Sequence, residues 1–260
     1  MGAGATGAVA LAGLGYRTGA AFAQSPVVAT PALTEGPYFV DEMLNRSDIR
    51  VDPSDGSITQ GFPLRLGITV SRIDNGAISP LTGAYVDIWH CDALGVYSDV
   101  QAQNTVGRKF LRGYQVTDRH GNVRFLTIYP GWYQGRTAHI HNKVRLFAGS
   151  QETYEFTTQF FFDEAITDAI HAMAPYNQKG RRDTFNNTDG IFNCATSSGA
   201  AGTQLLLRLA EDGSHAIASF HVALDLAGGN PSCGGSTPPP GPPPGGGGNP
   251  PPGSITIGSR

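Results

Sequence analysis

Short runs of alternating apolar and polar residues recur through the middle of this chain of 260 residues. In the clearest run, Leu64, Leu66, Ile68 and Val70 alternate with other residues after Pro63. Further runs rich in β-branched or aromatic residues lie at 85–90, 123–127, 138–147, 156–162, 204–209 and 216–226. Side chains of a strand alternate between its two faces, and turn residues separate the runs. The pattern therefore predicts an all-β fold, an antiparallel β-sandwich of about eight strands with long loops.

One short helix is expected among these strands. Ile166, Ile170 and Met173 recur at helical spacing. Asp163 precedes them as a suitable N-cap, and Pro175 is expected to end the helix because proline cannot continue it.

The two ends of the chain differ in composition from its middle. Residues 1–23 are rich in Ala and Gly, contain no acidic residue and end in Ala21-Phe22-Ala23, which is typical of an export signal. A disordered Ala/Gly tail is the alternative interpretation. From residue 228 onward Pro and Gly dominate, which predicts a disordered linker or tail. A folded domain at 24–227 in a secreted, extracellular protein is therefore expected.

Charge and cysteine content narrow the functional classes. The net charge is −3, which gives no basic field for a phosphate backbone, so nucleic acid is not an expected partner. No apolar stretch is long enough to serve as a membrane anchor. Cys194 and Cys233 are the expected disulfide pair because both lie outside the predicted strands, which leaves Cys91 as a free thiol.

The segment from 133 to 141 combines a phenol, a guanidinium and two imidazoles. His139 and His141 are two residues apart on a predicted strand and should share a face, which favours a metal site. Tyr133 lies just upstream and offers a phenolate, a hard oxygen donor that suits ferric iron. Arg136 lies between them. The alternative is that both histidines are surface residues on an edge strand.

A second tyrosine, Tyr97, follows a buried run and a loop that contains Gly95, from which it is expected to reach the mouth of the sandwich. Together with Tyr133, His139 and His141 it would complete a shell of two phenolates and two imidazoles, a set that favours Fe(III). A tyrosine that closes a sandwich corner through its hydroxyl is the alternative. His90 is expected to be a hydrogen-bonded strand residue and not a further ligand.

Six motifs carry a resemblance to a known family. They are Thr34-Glu-Gly-Pro-Tyr38, the run from Ile88 to Tyr97, Phe110-Leu-Arg-Gly-Tyr114, Tyr129-Pro-Gly-Trp-Tyr133, Arg136-Thr-Ala-His-Ile-His141 and Thr158-Gln159. With these motifs, the chain from 34 to 226 resembles the intradiol ring-cleavage dioxygenases, which include protocatechuate 3,4-dioxygenase and catechol 1,2-dioxygenase, and especially their compact exported relatives.

The resemblance implies an enzyme with a non-haem Fe(III) cofactor. Such an enzyme would use O2 to cleave a small aromatic diol between its two hydroxyl-bearing carbons and give a cis,cis-muconate-type product. Tyr97 would be the equatorial tyrosine ligand and Tyr133 the axial one that substrate displaces. His139 and His141 would be the histidine ligands.

Four further residues acquire roles from the same resemblance. Arg136 would stabilise the carbanion-like substrate, with Gln159 as its partner. Pro37 and Tyr38 would belong to the loop that lines the substrate pocket.

Two features depart from the better-known members of the family. The loop from Tyr133 to His139 is shorter than in protocatechuate 3,4-dioxygenase. The long N-terminal helical segment by which catechol 1,2-dioxygenases dimerise is missing, so that dimer is not expected and a monomer is possible.

The chain from 80 to 89, with a later turn at 118–121, also resembles transthyretin-like domains. A non-catalytic extracellular β-sandwich binding module is therefore the alternative function. The charged cluster Arg181-Arg182-Asp183 is expected to be a solvated surface or part of the pocket rim.

Overall fold

The computed structural model of the chain describes residues 28–197, 199–211 and 215–233. The predicted export segment and the tail beyond residue 233 lie outside these residues. The described strands are β1 Pro63–Asp74, β2 Ala77–Pro80, β3 Tyr85–Trp89, β4 Arg112–Val116, β5 Asn122–Ile128, β6 His139–Ala148, β7 Gln151–Phe161, β8 Ala195–Thr196, β9 Gly199–Ala200, β10 Arg208–Glu211 and β11 Ala216–Asp225. The helices are α1 Glu164–His171 and α2 Ala201–Gln204, and Gln101–Gln103 and Tyr176–Lys179 form short 3-10 turns.

Two sheets account for most of these strands. One has the order β10-β11-β1, with β2 and β5 both paired to the remaining edge of β1, and the other has the order β4-β3-β6-β7. The predicted all-β, antiparallel-rich sandwich is thereby confirmed. One pair departs from it, since β1 and β11 run parallel. Two parallel neighbouring strands need a long connecting segment, and here that segment runs from the end of β1 to the start of β11 and includes the second sheet.

The core lies between the inner faces of the two sheets. Leu66, Ile68 and Val70 of β1 are at most 1% exposed and belong to the same buried cluster as Ile88 of β3 and Ile140 of β6. On β1, every second residue from Leu64 to Val70 contributes to this cluster. The alternation in the sequence therefore marks the residues that hold the sheets together.

The outer face of the four-stranded sheet is buried as well. On β6 the side chains that point away from the core are His139, His141, Lys143 and Arg145, and none of these residues is more than 4% exposed. A buried polar side chain is costly unless it has partners. This face must therefore be covered by segments that supply them.

Ion pairs attach the N-terminal segment to this outer face. Lys143 forms one with Glu35, and Arg145 donates to Asp41 over 2.6 Å. Arg145 also donates to Asp87 on the neighbouring strand over 3.0 Å. The segment that carries the Thr34–Tyr38 motif is thereby held over β6.

Three details of the predicted elements are corrected. Asp163 caps α1 as predicted, accepting from the N–H groups of Ala165 and Ile166, but α1 ends before Met173. The run predicted as a strand at 204–209 begins as the end of α2 and becomes a strand only at Arg208. The sequence pattern also missed a second helix, α2, and the short strands β2, β4, β8 and β9.

The described start of the predicted tail packs on the domain. The backbone N–H of Ala32 donates to the carbonyl oxygen of Pro231 over 2.7 Å, and Cys233 is disulfide-bonded to Cys194. The predicted cysteine pairing is confirmed, and Cys91 is a buried free thiol. A disulfide and a backbone bridge therefore hold residues of a segment whose composition predicts disorder.

The basic cluster after the second 3-10 turn is not a solvated surface throughout. Arg182 is 7% exposed, donates to Asp168 over 2.9 Å and forms an ion pair with Glu164. It attaches its loop to α1. Arg181 beside it is exposed, as predicted.

Two isoleucines on adjacent strands test where the core lies. Ile68 is 1% exposed and Ile217 is 44% exposed. We expect Ile68→Ala to lower the free energy of unfolding by about 2–5 kcal/mol because it leaves a cavity. Ile217→Ala should change it by less than about 0.5 kcal/mol. Equal losses in chemical denaturation would contradict the placement of these two faces.

Candidate metal centre

The centre is built on the outer face of the four-stranded sheet. Register pairs Arg112 with Trp89, Trp89 with His141, and His141 with Gln159, so these four side chains form one row across the sheet. His139 lies two residues before His141 on the same face, as the spacing predicts. The site is therefore on a covered sheet face and not at the mouth of the sandwich.

Both imidazoles are held with a nitrogen pointing into the centre. His139 Nδ1 donates to the Thr137 carbonyl oxygen over 2.7 Å, which leaves Nε2 as the lone-pair nitrogen. The ring of His141 stacks on Trp89 with centroids 4.7 Å apart and planes at 7°. The two Nε2 atoms are 3.1 Å apart.

Burial keeps the histidine pair neutral. It lowers the pKa of His139 and of His141 well below the usual value, and the positive charge of Arg136 lowers both further. A neutral imidazole is the form that binds a metal ion.

Two tyrosines reach the same point from separate loops. Tyr97 Oη and Tyr133 Oη each lie 3.5 Å from His139 Nε2. Gly95 lets the two loops meet, because a Cβ there would lie 2.1 Å from the Trp132 carbonyl oxygen. The predicted set of two phenols and two imidazoles is therefore brought together by the fold.

The geometry of this set fits a metal ion. Bonds of about 2.0–2.2 Å with angles near 90–120° place neighbouring ligand atoms about 3–3.7 Å apart, and the separations from His139 Nε2 to the other three donor atoms are 3.1–3.5 Å. Among the described residues, His, Cys, Asp and Glu alone form no group of three that could hold a metal. A metal site at this position would therefore need the tyrosines.

Burial also defines the state of the phenols. It raises the pKa of Tyr97 well above its usual value and raises that of Tyr133. Even with Arg136 nearby, both would stay protonated unless a further positive charge lay close to them. A bound metal ion supplies such a charge and favours the phenolate.

Arg136 borders the centre and is held on several sides. Its Nη1 lies 3.4 Å from both Tyr133 Oη and His139 Nε2, and its Nη2 donates to Gln159 Oε1 over 2.5 Å. Its Nε donates to Asp189 Oδ2 over 2.9 Å. Burial by itself lowers the pKa of Arg136, but its anionic neighbours, the ionised form of Tyr133 and Asp189, outweigh it and raise the pKa.

The N-terminal motif forms a wall of the centre. The ring of Tyr38 stacks on Tyr97 with centroids 4.4 Å apart and meets Tyr133 edge-on at 5.9 Å. Burial, followed by the nearby Tyr133, raises the pKa of Tyr38 to about 12. Gly36 has φ of 71°, and a Cβ there would lie 3.3 Å from His141 Cε1. Pro37 lies between Gly36 and Tyr38 in an exposed turn.

His90 stays outside the centre, as predicted. Its Nε2 lies 2.7 Å from Thr127 Oγ1 and its Nδ1 lies 2.8 Å from the Cys91 carbonyl oxygen. Both ring nitrogens are occupied by these contacts.

Three residues of the site were missed by sequence reasoning. Trp89 and Thr137 lie within the quoted motifs, but nothing in their spacing indicates a stacking partner or a carbonyl acceptor. Asp189 lies 53 residues after Arg136 and precedes a glycine, a pair typical of a surface turn. No local pattern connects it to the centre.

A family model described as dioxygenase matches residues 34–180. The chain belongs to the family of intradiol ring-cleavage dioxygenases. This membership decides against the transthyretin-like binding module that the sequence left as an alternative.

Solved structures of relatives share the fold. An intradiol ring-cleavage dioxygenase from Tetranychus urticae is 31% identical with a TM-score of 0.64, and the match covers 76% of this chain and 95% of that one. The dioxygenase domain of a dioxygenase–carbohydrate-binding fusion from Streptomyces sp. SirexAA-E is 30% identical with a TM-score of 0.53, covering 76% and 99%.

Curated relatives are longer than the matched region. A chlorocatechol 1,2-dioxygenase from Pseudomonas putida is 30% identical over 173 residues, which covers 58% of this chain and 59% of that protein. Catechol 1,2-dioxygenase 1 from Acinetobacter lwoffii is 29% identical, with 50% and 45% covered. The chain thus spans about half of the curated relatives it matches.

Removing one donor oxygen tests the metal site directly. We expect Tyr97→Phe to reduce bound metal strongly, because the ring stays in place while the ligand oxygen is lost. Tyr129→Phe is the matched control, since Tyr129 is also fully buried but bonds Thr167 Oγ1 at 2.7 Å outside the centre. Elemental analysis after metal loading measures the difference. Equal metal content in both variants would remove Tyr97 from the ligand set.

Proposed function

We propose that this protein is a non-haem Fe(III)-dependent intradiol dioxygenase. It would cleave catechol-type rings between the two hydroxyl-bearing carbons with O2 and release cis,cis-muconate-type diacids. The observation that carries this proposal is the convergence of Tyr97, Tyr133 and His141 on His139 Nε2 within 3.5 Å, with Arg136 alongside.

The donor set favours ferric iron over other metals. Two phenolates are hard anionic ligands that stabilise a trivalent ion, and two neutral imidazoles add nitrogen donors without further charge. Bound Fe(III) would supply Lewis acidity that makes the substrate hydroxyls acidic and withdraws electron density from the ring.

The two tyrosines differ in burial, which supports different roles. Tyr97 is 0% exposed, whereas Tyr133 is partly exposed on a short loop. We assign Tyr133 as the residue that substrate displaces and that holds a substrate proton on Oη. Arg136 Nη1, 3.4 Å away, is placed to hold the released phenol oxygen. Tyr97 remains as the fixed phenolate.

Arg136, held in place by Gln159, is suited to stabilise negative charge on the substrate. The guanidinium is almost fully buried and its Nη1 points to the centre, so its field is weakly screened by water. Gln159 Oε1 accepts from Arg136, while its Nε2 donates to the Thr34 carbonyl oxygen over 2.8 Å. Such a preorganised donor acts where charge develops in the reaction.

The aromatic wall supports a planar substrate. Tyr38 lies against Tyr97 and Tyr133, and its hydroxyl stays protonated near neutral pH because its pKa is raised to about 12. It therefore offers an apolar ring face and a neutral polar group to a bound aromatic diol. Pro37, in the exposed turn beside it, would contact substrate at the rim.

Export is part of the proposal. The disulfide between Cys194 and Cys233 supports an oxidising compartment, in keeping with the signal-like composition of residues 1–23. No helix among the described residues is long and apolar enough to cross a membrane.

Iron content, colour and product together test the proposed function. Protein loaded with iron should bind one ion per chain and show visible tyrosinate-to-iron charge-transfer absorption. A panel of catechols supplied with 18O2 should yield diacids that carry both labelled atoms. Iron-loaded protein that is colourless and inert, or that cleaves the ring beside the diol, would contradict the proposal.

Arg136→Ala should separate catalysis from metal binding. Iron should be retained because the four ligands are intact, whereas kcat should fall by about 100- to 1,000-fold, the usual effect of removing one preorganised donor. Arg65→Ala is the control, an exposed arginine on the outer face of the other sheet. Steady-state kinetics measures kcat. Wild-type kcat in both variants would contradict the catalytic role assigned to Arg136.

A further inference from the structure

Asp189 is a buried carboxylate in which both oxygens are used as acceptors. It is 0% exposed. Its Oδ2 accepts from Arg136 Nε over 2.9 Å and from the Thr137 backbone N–H over 2.9 Å. Its Oδ1 accepts from the backbone N–H groups of Ile191 and Phe192 over 2.7 and 3.1 Å. The residue lies beyond the region that the family model matches.

These contacts determine which way the guanidinium of Arg136 points. A guanidinium is planar, so fixing two of its edges fixes the third. Asp189 holds Nε and Gln159 holds Nη2. Nη1 is then left directed at Tyr133 Oη and His139 Nε2.

The same carboxylate oxygen also reaches a metal ligand through the backbone. Asp189 Oδ2 holds the N–H of Thr137, and the carbonyl oxygen of Thr137 accepts from His139 Nδ1 over 2.7 Å. The residue that orients the arginine therefore also holds Thr137, whose carbonyl oxygen fixes the tautomer of His139.

We propose that Asp189 is a positioning residue of the centre, which directs Arg136 Nη1 at the reacting groups and holds the backbone of Thr137 behind His139. The proposal rests on the function proposed above. Asp189 acts through Arg136 and Thr137 and does not itself touch substrate or metal.

The chain around Asp189 has anchors of its own. Asn186 accepts from Thr137 Oγ1 over 2.8 Å and donates to the Phe162 carbonyl oxygen over 2.8 Å. A few residues later Cys194 is held by its disulfide to Cys233. A change of the Asp189 side chain should therefore leave the segment folded, which makes the substitution informative.

Asp189→Asn keeps the shape of the side chain and removes its charge. We expect iron to be retained and kcat to fall by roughly 10- to 100-fold, the usual effect of removing an outer-shell partner. The charge-transfer band should shift because Arg136 Nη1 no longer holds its position beside Tyr133. Asp183→Asn is the matched control, since exposed Asp183 on the same loop accepts from the Gly135 N–H over 3.3 Å and makes no bond to Arg136.

A double-mutant cycle separates positioning from simple support of the fold. If Asp189 acts through Arg136, Asp189→Asn should lower kcat little further in an Arg136→Ala background. Full additivity of the two effects, or a loss of kcat that only follows lost iron or lost folded protein, would overturn the proposal.

Metal-free protein gives a readout that is independent of the proposed reaction. Hydrogen exchange at Arg136 Nε and at the Thr137 amide, followed by 15N NMR, should be slow in the wild type and in Asp183→Asn but faster in Asp189→Asn. Unchanged exchange in Asp189→Asn would overturn the proposal. If the wild type showed no iron-dependent turnover but exchange was faster in Asp189→Asn as expected, the proposed reaction would be refuted. The positioning contact would still stand.

Discussion

Burial of a polar sheet face is the constraint on which the rest of this structure depends. The sandwich core uses only the inner face of the four-stranded sheet, yet the outer face of β6 is closed off from water too. Each charged group there needs a partner, because an unpaired buried charge is very costly. Lys143 and Arg145 have carboxylates, whereas His139 and His141 have none and remain neutral with nitrogens free to bind a metal.

The two faces of β6 have different roles, since one packs in the core and the other carries the centre. Ile140 points into the core between two histidines that point into the centre. The two histidines proposed as ligands are therefore held by the same packing that holds the sheets together. The tyrosines come from loops instead, and the loop with Tyr133 is the more exposed of the two. This difference agrees with the proposed roles, in which Tyr97 stays in place and Tyr133 is displaced by substrate.

Sequence predicted the parts of this centre that follow a local rule. The period of two placed His139 and His141 together, and the quoted motifs identified Tyr97, Tyr133, Arg136 and Gln159, all of which the fold brings to one place. The sheet row that joins Trp89, His141 and Gln159 depends on strand register, which no local pattern reveals. The strand expected at 204–209 was wrong at its start, where tertiary packing of α2 on Phe192 overrides local propensity.

Asp189 shows why the rest of the site could not be predicted from the sequence. Its link to Arg136 spans 53 residues, and a charged residue before glycine looks the same in sequence whether it lies in a solvated turn or under a sheet. Only the fold distinguishes the two, because burial turns an ordinary turn residue into the partner of a buried cation. A carboxylate in this position leaves Arg136 its directed N–H groups while balancing its charge. In the proposed reaction, the centre would thus have a hydrogen-bond donor for developing negative charge without an unpaired positive charge beside it.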